Sequence, residues 1–281
     1  MTRVTITVWV NGELVDDKPS IVATDHGLTV GDGVFETCKV VDGEVFARTR
    51  HHDRLDRSLA GLGLPAADRG YLDEGIAAVL DGLSGLVRLR YTVTGGLGPL
   101  GSERIGEPMT YVVMATPIDA PPATTTVLPV DWTRNERSAV AGLKTTSYAE
   151  NVVALRAARE AGATEAILPN TRGELCEGTG SNIFVVVDGE VLTPPLESGA
   201  LAGITRALAL EWGQDAGLPV RERTLPMSVL DTCDEAFITS STRDIQGVSA
   251  IGERSLPADR PLTEAMARAF AAAAAKEKDP A

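Results

Sequence analysis

Gly142-Leu143-Lys144-Thr145-Thr146-Ser147-Tyr148-Ala149-Glu150-Asn151 is the stretch that decides what this chain is. Ser147 and Glu150 have the S-x-x-E spacing of a capping box, which predicts a helix beginning just after Lys144. The lysine then projects from a Thr/Ser loop at a helix N-terminus, among small and apolar neighbours. The positive end of the helix and desolvation both favour its neutral, nucleophilic amine. Only five of the 26 Lys and Arg residues are lysines: Lys18, Lys39, Lys144, Lys276 and Lys278. One kept in such a loop is informative.

N-terminal to this stretch the pattern is one of strands and tight turns. Val4, Ile6, Val8 and Val10 alternate with Thr5, Thr7 and Trp9 and run into Asn11-Gly12, a hairpin signal. Asp42-Gly43, between Val40-Val41 and Val45-Phe46, is a second. Leu55, Leu59 and Leu62 predict a helix over 51–62 that Gly63 ends, and 72–83 predicts another. Strands follow near 87–94 and 110–116. Residues 118–126, rich in Pro, Ala and Thr, read as linker. Beyond it come a helix over 148–161, a strand over 165–169, a hairpin through Asp188-Gly189, a helix over 204–216, a strand near 235–240 and a helix over 262–275. Residues 276–281 read as a frayed end. There is no internal repeat. Hairpins and helices without strict βαβ alternation predict two α+β domains with a cleft between them. The boundaries are a small domain over 1–117, a linker over 118–130 and a larger domain over 131–281.

Composition excludes whole classes. The 281 residues are 43% hydrophobic and 23% charged, which is globular and neither disordered nor collagenous. A net charge of −13 argues against nucleic acid as a partner. No apolar run reaches the ~18–20 residues needed to cross a bilayer, and the first residues lack a signal-peptide core. A cytoplasmic enzyme without membrane contact is expected. Cys38, Cys176 and Cys233 are far apart and read as reduced, packed thiols. His26, His51 and His52 lack metal-ligand spacing, so no metal is expected. Gly96-Leu97-Gly98-Pro99-Leu100-Gly101 matches G-x-G-x-x-G, but Pro99 lies inside it and another strand follows. It reads as a flexible loop at a cleft edge, not a dinucleotide site.

Three further segments carry chemistry. Leu175–Phe184 places Glu177 among small residues before a buried strand, where a flat ligand can approach the backbone. Gly199–Arg206 leads into a helix whose first amides suit a phosphate. Thr239-Ser240-Ser241-Thr242 ends a strand in hydroxyls.

With Asp25-His26-Gly27, Gly31-Asp32-Gly33-Val34-Phe35-Glu36 and His52-Asp53-Arg54-Leu55, these segments resemble, in order and spacing, the pyridoxal-phosphate enzymes of fold type IV. That family contains branched-chain and D-amino-acid aminotransferases and 4-amino-4-deoxychorismate lyase. The resemblance spans nearly the whole chain. It implies an α+β fold of two domains, a small N-terminal α+β domain and a larger mixed α/β barrel-like one. It also implies pyridoxal 5′-phosphate as cofactor, a homodimer, and transfer of an amino group between a small-molecule donor and a 2-keto acid. Residue by residue, Lys144 would join the cofactor covalently and shuttle the substrate proton. Glu177 would keep the pyridine nitrogen protonated. Arg54 would pair with the phosphate, and the backbone amides of Ile204 and Thr205, with the hydroxyl of Ser241 or Thr242, would complete the phosphate cup. Tyr148 would contact the ring hydroxyl.

The substrate side diverges within that family. Phe35 stands where D-amino-acid aminotransferases carry tyrosine, and the 96–101 loop lacks their Arg-x-His pair. Phe35-Glu36-Thr37 looks more like the lyase branch and its close aminotransferase relatives than the Phe-Glu-Gly of branched-chain enzymes. Arg88 and Arg90 alternate on one strand and share a face. Arg90 is expected to bind the substrate carboxylate, with Lys39 the weaker candidate. The expected reaction is transamination of a D-amino acid or (R)-amine. Aminodeoxychorismate lyase and branched-chain aminotransferase activities are the alternatives. A dimer is expected to bring the His26 region or the 96–101 loop near the partner's cleft.

Overall fold

In the computed structural model, which describes residues 6–15 and 18–281, the chain divides into two compact units. The first comprises the described residues to Ala120 together with Leu143–Ser147 and Lys278–Ala281. The second comprises Pro121–Gly142 and Tyr148–Glu277. Val4 and Thr5 of the first expected strand lie outside the described residues.

The first unit is built by β1 (Thr7–Val10), β2 (Glu13–Leu14), α1 (His26–Thr29), β3 (Gly33–Val41), β4 (Glu44–Val45), α2 (Arg48–Gly61), α3 (Arg69–Leu80), β5 (Leu86–Thr94) and β6 (Thr110–Pro117). Its antiparallel sheet runs β2-β1-β6-β5-β3-β4. Asn11-Gly12 and Asp42-Gly43 take positive φ at both positions, the turn geometry that matches strand twist, and form the two expected hairpins. Val34, Cys38 and Val40 on β3 and Val87, Leu89, Tyr91 and Val93 on β5 are buried with Leu55 and Leu59 of α2 and Leu72 and Ile76 of α3. α3 begins three residues before the expected position because Asp68 caps it, accepting from Tyr71 N at 3.0 Å.

The expectation of a frayed C-terminus is corrected. Ala47, at the start of α2, has φ 53° and no capping side chain. Asp279 supplies the cap instead, accepting from Thr49 N at 2.8 Å and Thr49 Oγ1 at 2.6 Å, while Lys278 O accepts from Ala47 N at 2.7 Å.

The second unit contains β7 (Thr124–Pro129), α4 (Ala149–Glu160), β8 (Glu165–Pro169), β9 (Leu175–Gly178), β10 (Asn182–Val187), β11 (Glu190–Thr193), α5 (Ile204–Asp215), β12 (Val220–Glu222), β13 (Glu235–Ser240), β14 (Asp244–Ile251), β15 (Arg254–Ser255) and α6 (Pro261–Lys276). Its curled, mixed sheet runs β12-β11-β10-β13-β14-β7-β8-β9, with β15 beside β14. Residues 118–130, expected as linker, therefore hold an interior strand. Thr125 and Val127 of β7 are buried, and β-branched residues suit a pleated surface despite the flanking prolines. Cys38, Cys176 and Cys233 are free and buried. Among the described residues no helix is long and apolar enough to cross a membrane, and no group of three or more His, Cys, Asp or Glu is arranged to hold a metal.

Candidate active site

In the first unit, Lys144 is fixed by its backbone. Phe35 N donates to Lys144 O at 3.0 Å and Thr146 N to Gly33 O at 2.8 Å, so 144–146 lies along the start of β3. Lys144 N donates to Ser58 Oγ of α2 at 3.2 Å. Ser147 Oγ donates to Gly31 O at 3.2 Å, which corrects the expected capping box. The N-cap of α4 is Tyr148, which makes no side-chain capping bond, and the Ser147 hydroxyl is committed to the lysine loop.

The lysine amine lies 4.4 Å from the centroid of the Phe35 ring, and the Arg90 guanidinium carbon 3.7 Å from the same centroid. Both are cation–π distances. Phe35, Thr37 and Lys39 share a sheet face with Arg88, Arg90 and Thr92, through the register Thr37↔Arg90 and Lys39↔Arg88. Two residues further along, Arg88 is exposed and the Lys39 amine lies 4.8 Å from the Phe46 centroid. Of the four expected substrate residues, Phe35 and Arg90 thus gather with Lys144.

On the opposite face of β3, Glu36 is fully buried. Arg54 donates to it from Nε (2.8 Å) and Nη2 (2.6 Å), and His51 from Nδ1 (2.7 Å). Burial pushes the Glu36 carboxyl up, but Arg54 and His51 outweigh it and hold the carboxyl well below the usual range. Burial pushes His51 down. Arg54, matched to a phosphate by resemblance, therefore has one edge of its planar fork on a carboxylate.

In the second unit, Glu177 Oε2 accepts from Leu201 N at 2.9 Å and Oε1 lies 3.1 Å from Arg134 Nε. Arg134 Nη1 and Nη2 donate to Asn151 Oδ1, each at 3.1 Å. Asn151 Nδ2 and Tyr148 Oη both donate to Thr179 O, the latter at 3.2 Å. At the start of α5 the first intrahelical bond runs from Ala207 N to Gly203 O, so the amides of Ile204, Thr205 and Arg206 precede the ladder. Asn182 Nδ2 donates to Leu201 O at 2.9 Å, and its Oδ1 stands 1.9 Å from where a Cβ on residue 203 would sit. Any side chain at 203 would force Asn182 to move. Ser241 and Thr242 lie in the β13–β14 turn, which Arg243 ties to Glu165 Oε2 at 2.6 Å. Glu165 Oε1 in turn accepts from Gly180 N at 3.1 Å.

These donors fit a ring carrying a phosphate. Ser181 Oγ and Thr239 Oγ1 are buried without a hydrogen-bond partner among the described residues, and they adjoin Asn182 in sequence and in register. With the first amides of α5 they offer an acceptor-rich group its bonds. Glu177 offers an acceptor to a protonated ring nitrogen. Sequence reasoning missed the supporting residues. Arg134, Asn151, Asn182, Glu165 and Arg243 carry no assigned role in the sequence reading, where Glu36 figures only as part of a family motif and His51 only as a histidine without metal-ligand spacing. The 96–101 loop is also less free than expected. His26 N donates to Gly96 O (2.9 Å), Gly98 N to Thr24 O (3.1 Å) and His26 Nε2 to Pro99 O (3.1 Å); Leu100 beyond them is 87% exposed.

Comparison with known proteins agrees with this chemistry. The family described as Amino-transferase class IV matches residues 33–251. A Methanocaldococcus jannaschii protein assigned as a branched-chain-amino-acid aminotransferase is 34% identical over 88% of each chain. The D-alanine aminotransferase of Staphylococcus haemolyticus is 28% identical, covering 87% of this chain and 88% of its own. The crystal structure of the branched-chain aminotransferase from Thermoproteus uzoniensis with norvaline superimposes with a TM-score of 0.87 at 28% identity, over 94% of this chain and 93% of that one.

Proposed function

Because this chain belongs to the class IV aminotransferases, pyridoxal-phosphate enzymes of fold type IV, we propose that it transfers the amino group of a D-amino acid to a 2-keto acid. Lys144 is the proton-shuttling amine and Arg90 the receptor for the donor carboxylate. The observation that carries these two roles is the position of both side chains against the ring of Phe35; the choice of the D-enantiomer rests on the likeness to D-alanine aminotransferases. A guanidinium beside the reacting amine favours donors that bear a carboxylate over simple (R)-amines. Bound cofactor supplies the electron sink for the carbanion at the donor Cα.

The protein supplies the rest. Lys144 takes and returns the Cα proton. Glu177, 3.1 Å from Arg134 Nε, offers its carboxyl to the ring nitrogen and holds the proton there. As the resemblance implies, the first amides of α5, with Ser241 or Thr242, would hold the phosphate, Arg54 would pair with it, and Tyr148 would meet the ring hydroxyl. A second reading, transamination of branched-chain L-amino acids, is favoured by the likeness to the Methanocaldococcus jannaschii protein. We also infer a homodimer, supported by the exposed apolar side chains Leu28, Leu100 and Ile105 of the first unit. A fully active monomer in sedimentation would contradict it.

Half-reactions separate the readings. Mixing holoenzyme with D-alanine, L-leucine or (R)-1-phenylethylamine, one at a time, should bleach the near-visible absorbance of the lysine-bound cofactor with D-alanine. Bleaching by L-leucine alone would establish the second reading. Pyruvate release from aminodeoxychorismate with no amino donor active would establish a lyase.

A further inference from the structure

Glu36 stands in a row of β3 side chains that is otherwise apolar. Its neighbours on that face, Val34, Cys38 and Val40, are completely buried, as it is. Packing alone does not call for a carboxylate there, since replacing a whole buried ion pair by apolar side chains is commonly neutral or stabilising. It also opposes charge-driven anion binding, because its negative charge cancels that of the Arg54 guanidinium beside it. What it supplies is direction. The Nε and Nη2 of Arg54 are held at 2.8 and 2.6 Å on its two oxygens, a bidentate fork in one plane. His51, three residues before Arg54 on the same face of α2, holds the carboxylate at 2.7 Å and stops it rotating.

We infer that Glu36 is a positioning residue for the cofactor site: clamped by His51, it fixes the direction in which Arg54 presents its other donors to the phosphate. This rests on the assignment of Arg54 to that phosphate. Direction and charge then predict opposite signs for one substitution. Glu36→Gln removes the opposing charge, so charge alone would tighten cofactor binding. Positioning requires that binding weaken, because the amide cannot accept the fork on both atoms.

The test uses purified apoprotein titrated with pyridoxal 5′-phosphate, followed by absorbance and by the phosphorus NMR resonance of the bound phosphate. The expected result is at least tenfold weaker binding and a shifted resonance in Glu36→Gln. Glu36→Asp, which keeps the charge but withdraws the oxygens by one methylene, should weaken binding to an intermediate degree. Melting of each apoprotein places the titrations below unfolding, and Glu36→Asp carries the test should Glu36→Gln not fold. Unchanged or tighter binding with an unshifted resonance, while Arg54→Ala binds weakly, would overturn the inference. Wild-type binding by Arg54→Ala would instead overturn the assignment of Arg54.

Discussion

At Lys144 the backbone does the anchoring and the side chain alone reaches the Phe35 ring. Removing the amine therefore leaves the loop intact. Lys144→Ala should still bind cofactor through Arg54 and the first amides of α5, yet lose at least about 10³-fold in turnover, the scale of a lost proton-transfer group. In the wild type, borohydride reduction should leave the pyridoxyl group on the peptide containing Lys144, and a map placing it on Lys39 would refute the assignment. Arg90 tests the substrate side. Its guanidinium packs on Phe35 and has no part in the proposed phosphate cup, so Arg90→Ala should raise KM for amino acids about tenfold or more, the value of one charge-assisted contact, with cofactor retention unchanged. Unchanged KM would remove Arg90 from the carboxylate site.

At the scale of elements, two helix starts depend on distant residues. The N-terminus of α5 is set by a close approach: Asn182 Oδ1 occupies the space a Cβ at 203 would need. Gly203→Ala should cost about 1–3 kcal/mol by overpacking and loosen cofactor retention. The double variant Gly203→Ala/Asn182→Ser, which shortens the opposing side chain, should recover part of the loss in the same titration. The start of α2, which carries His51 and Arg54, is capped by Asp279 across 230 residues of sequence. Asp279→Ala should lower stability by about 1 kcal/mol, the value of an N-cap, read as the denaturant midpoint of the apoprotein. An unchanged midpoint would show that the tail contributes no cap.

For the whole molecule, the buried ionisable groups set the response to acid. Burial lowers His51 and His52, so between their folded values and the unfolded value of about 6.5 the unfolded chain binds more protons and stability falls as pH drops. The Glu36 carboxyl is also lowered in the fold. Its contribution is present above the unfolded value of about 4.3 and is lost on further acidification. The signs agree. The melting temperature of the apoprotein should fall from pH 7 to pH 5, each histidine contributing at most about 1.4 kcal/mol per pH unit. His51→Gln should flatten that slope, and equal stability at the two pH values would contradict the account.

Turn chemistry and periodicity act within a few residues, and what depends on them was legible in the sequence. Asn11-Gly12, Asp42-Gly43 and Asp188-Gly189 make their hairpins, and the long helices lie where apolar spacing places them. The segments carrying Lys144, Glu177, the start of α5 and Ser241-Thr242 could be read for the same reason, since a loop of small residues or a helix start is a local feature. Tertiary structure alone decided which groups meet. It gave the Ser147 hydroxyl to Gly31 rather than to a cap, set Arg134 beside Glu177, put Glu36 on Arg54 and His51, and brought Asp279 to α2. Each of these is a polar group finding a partner far along the chain. Burial makes that partner obligatory, but no local pattern records which residue it will be.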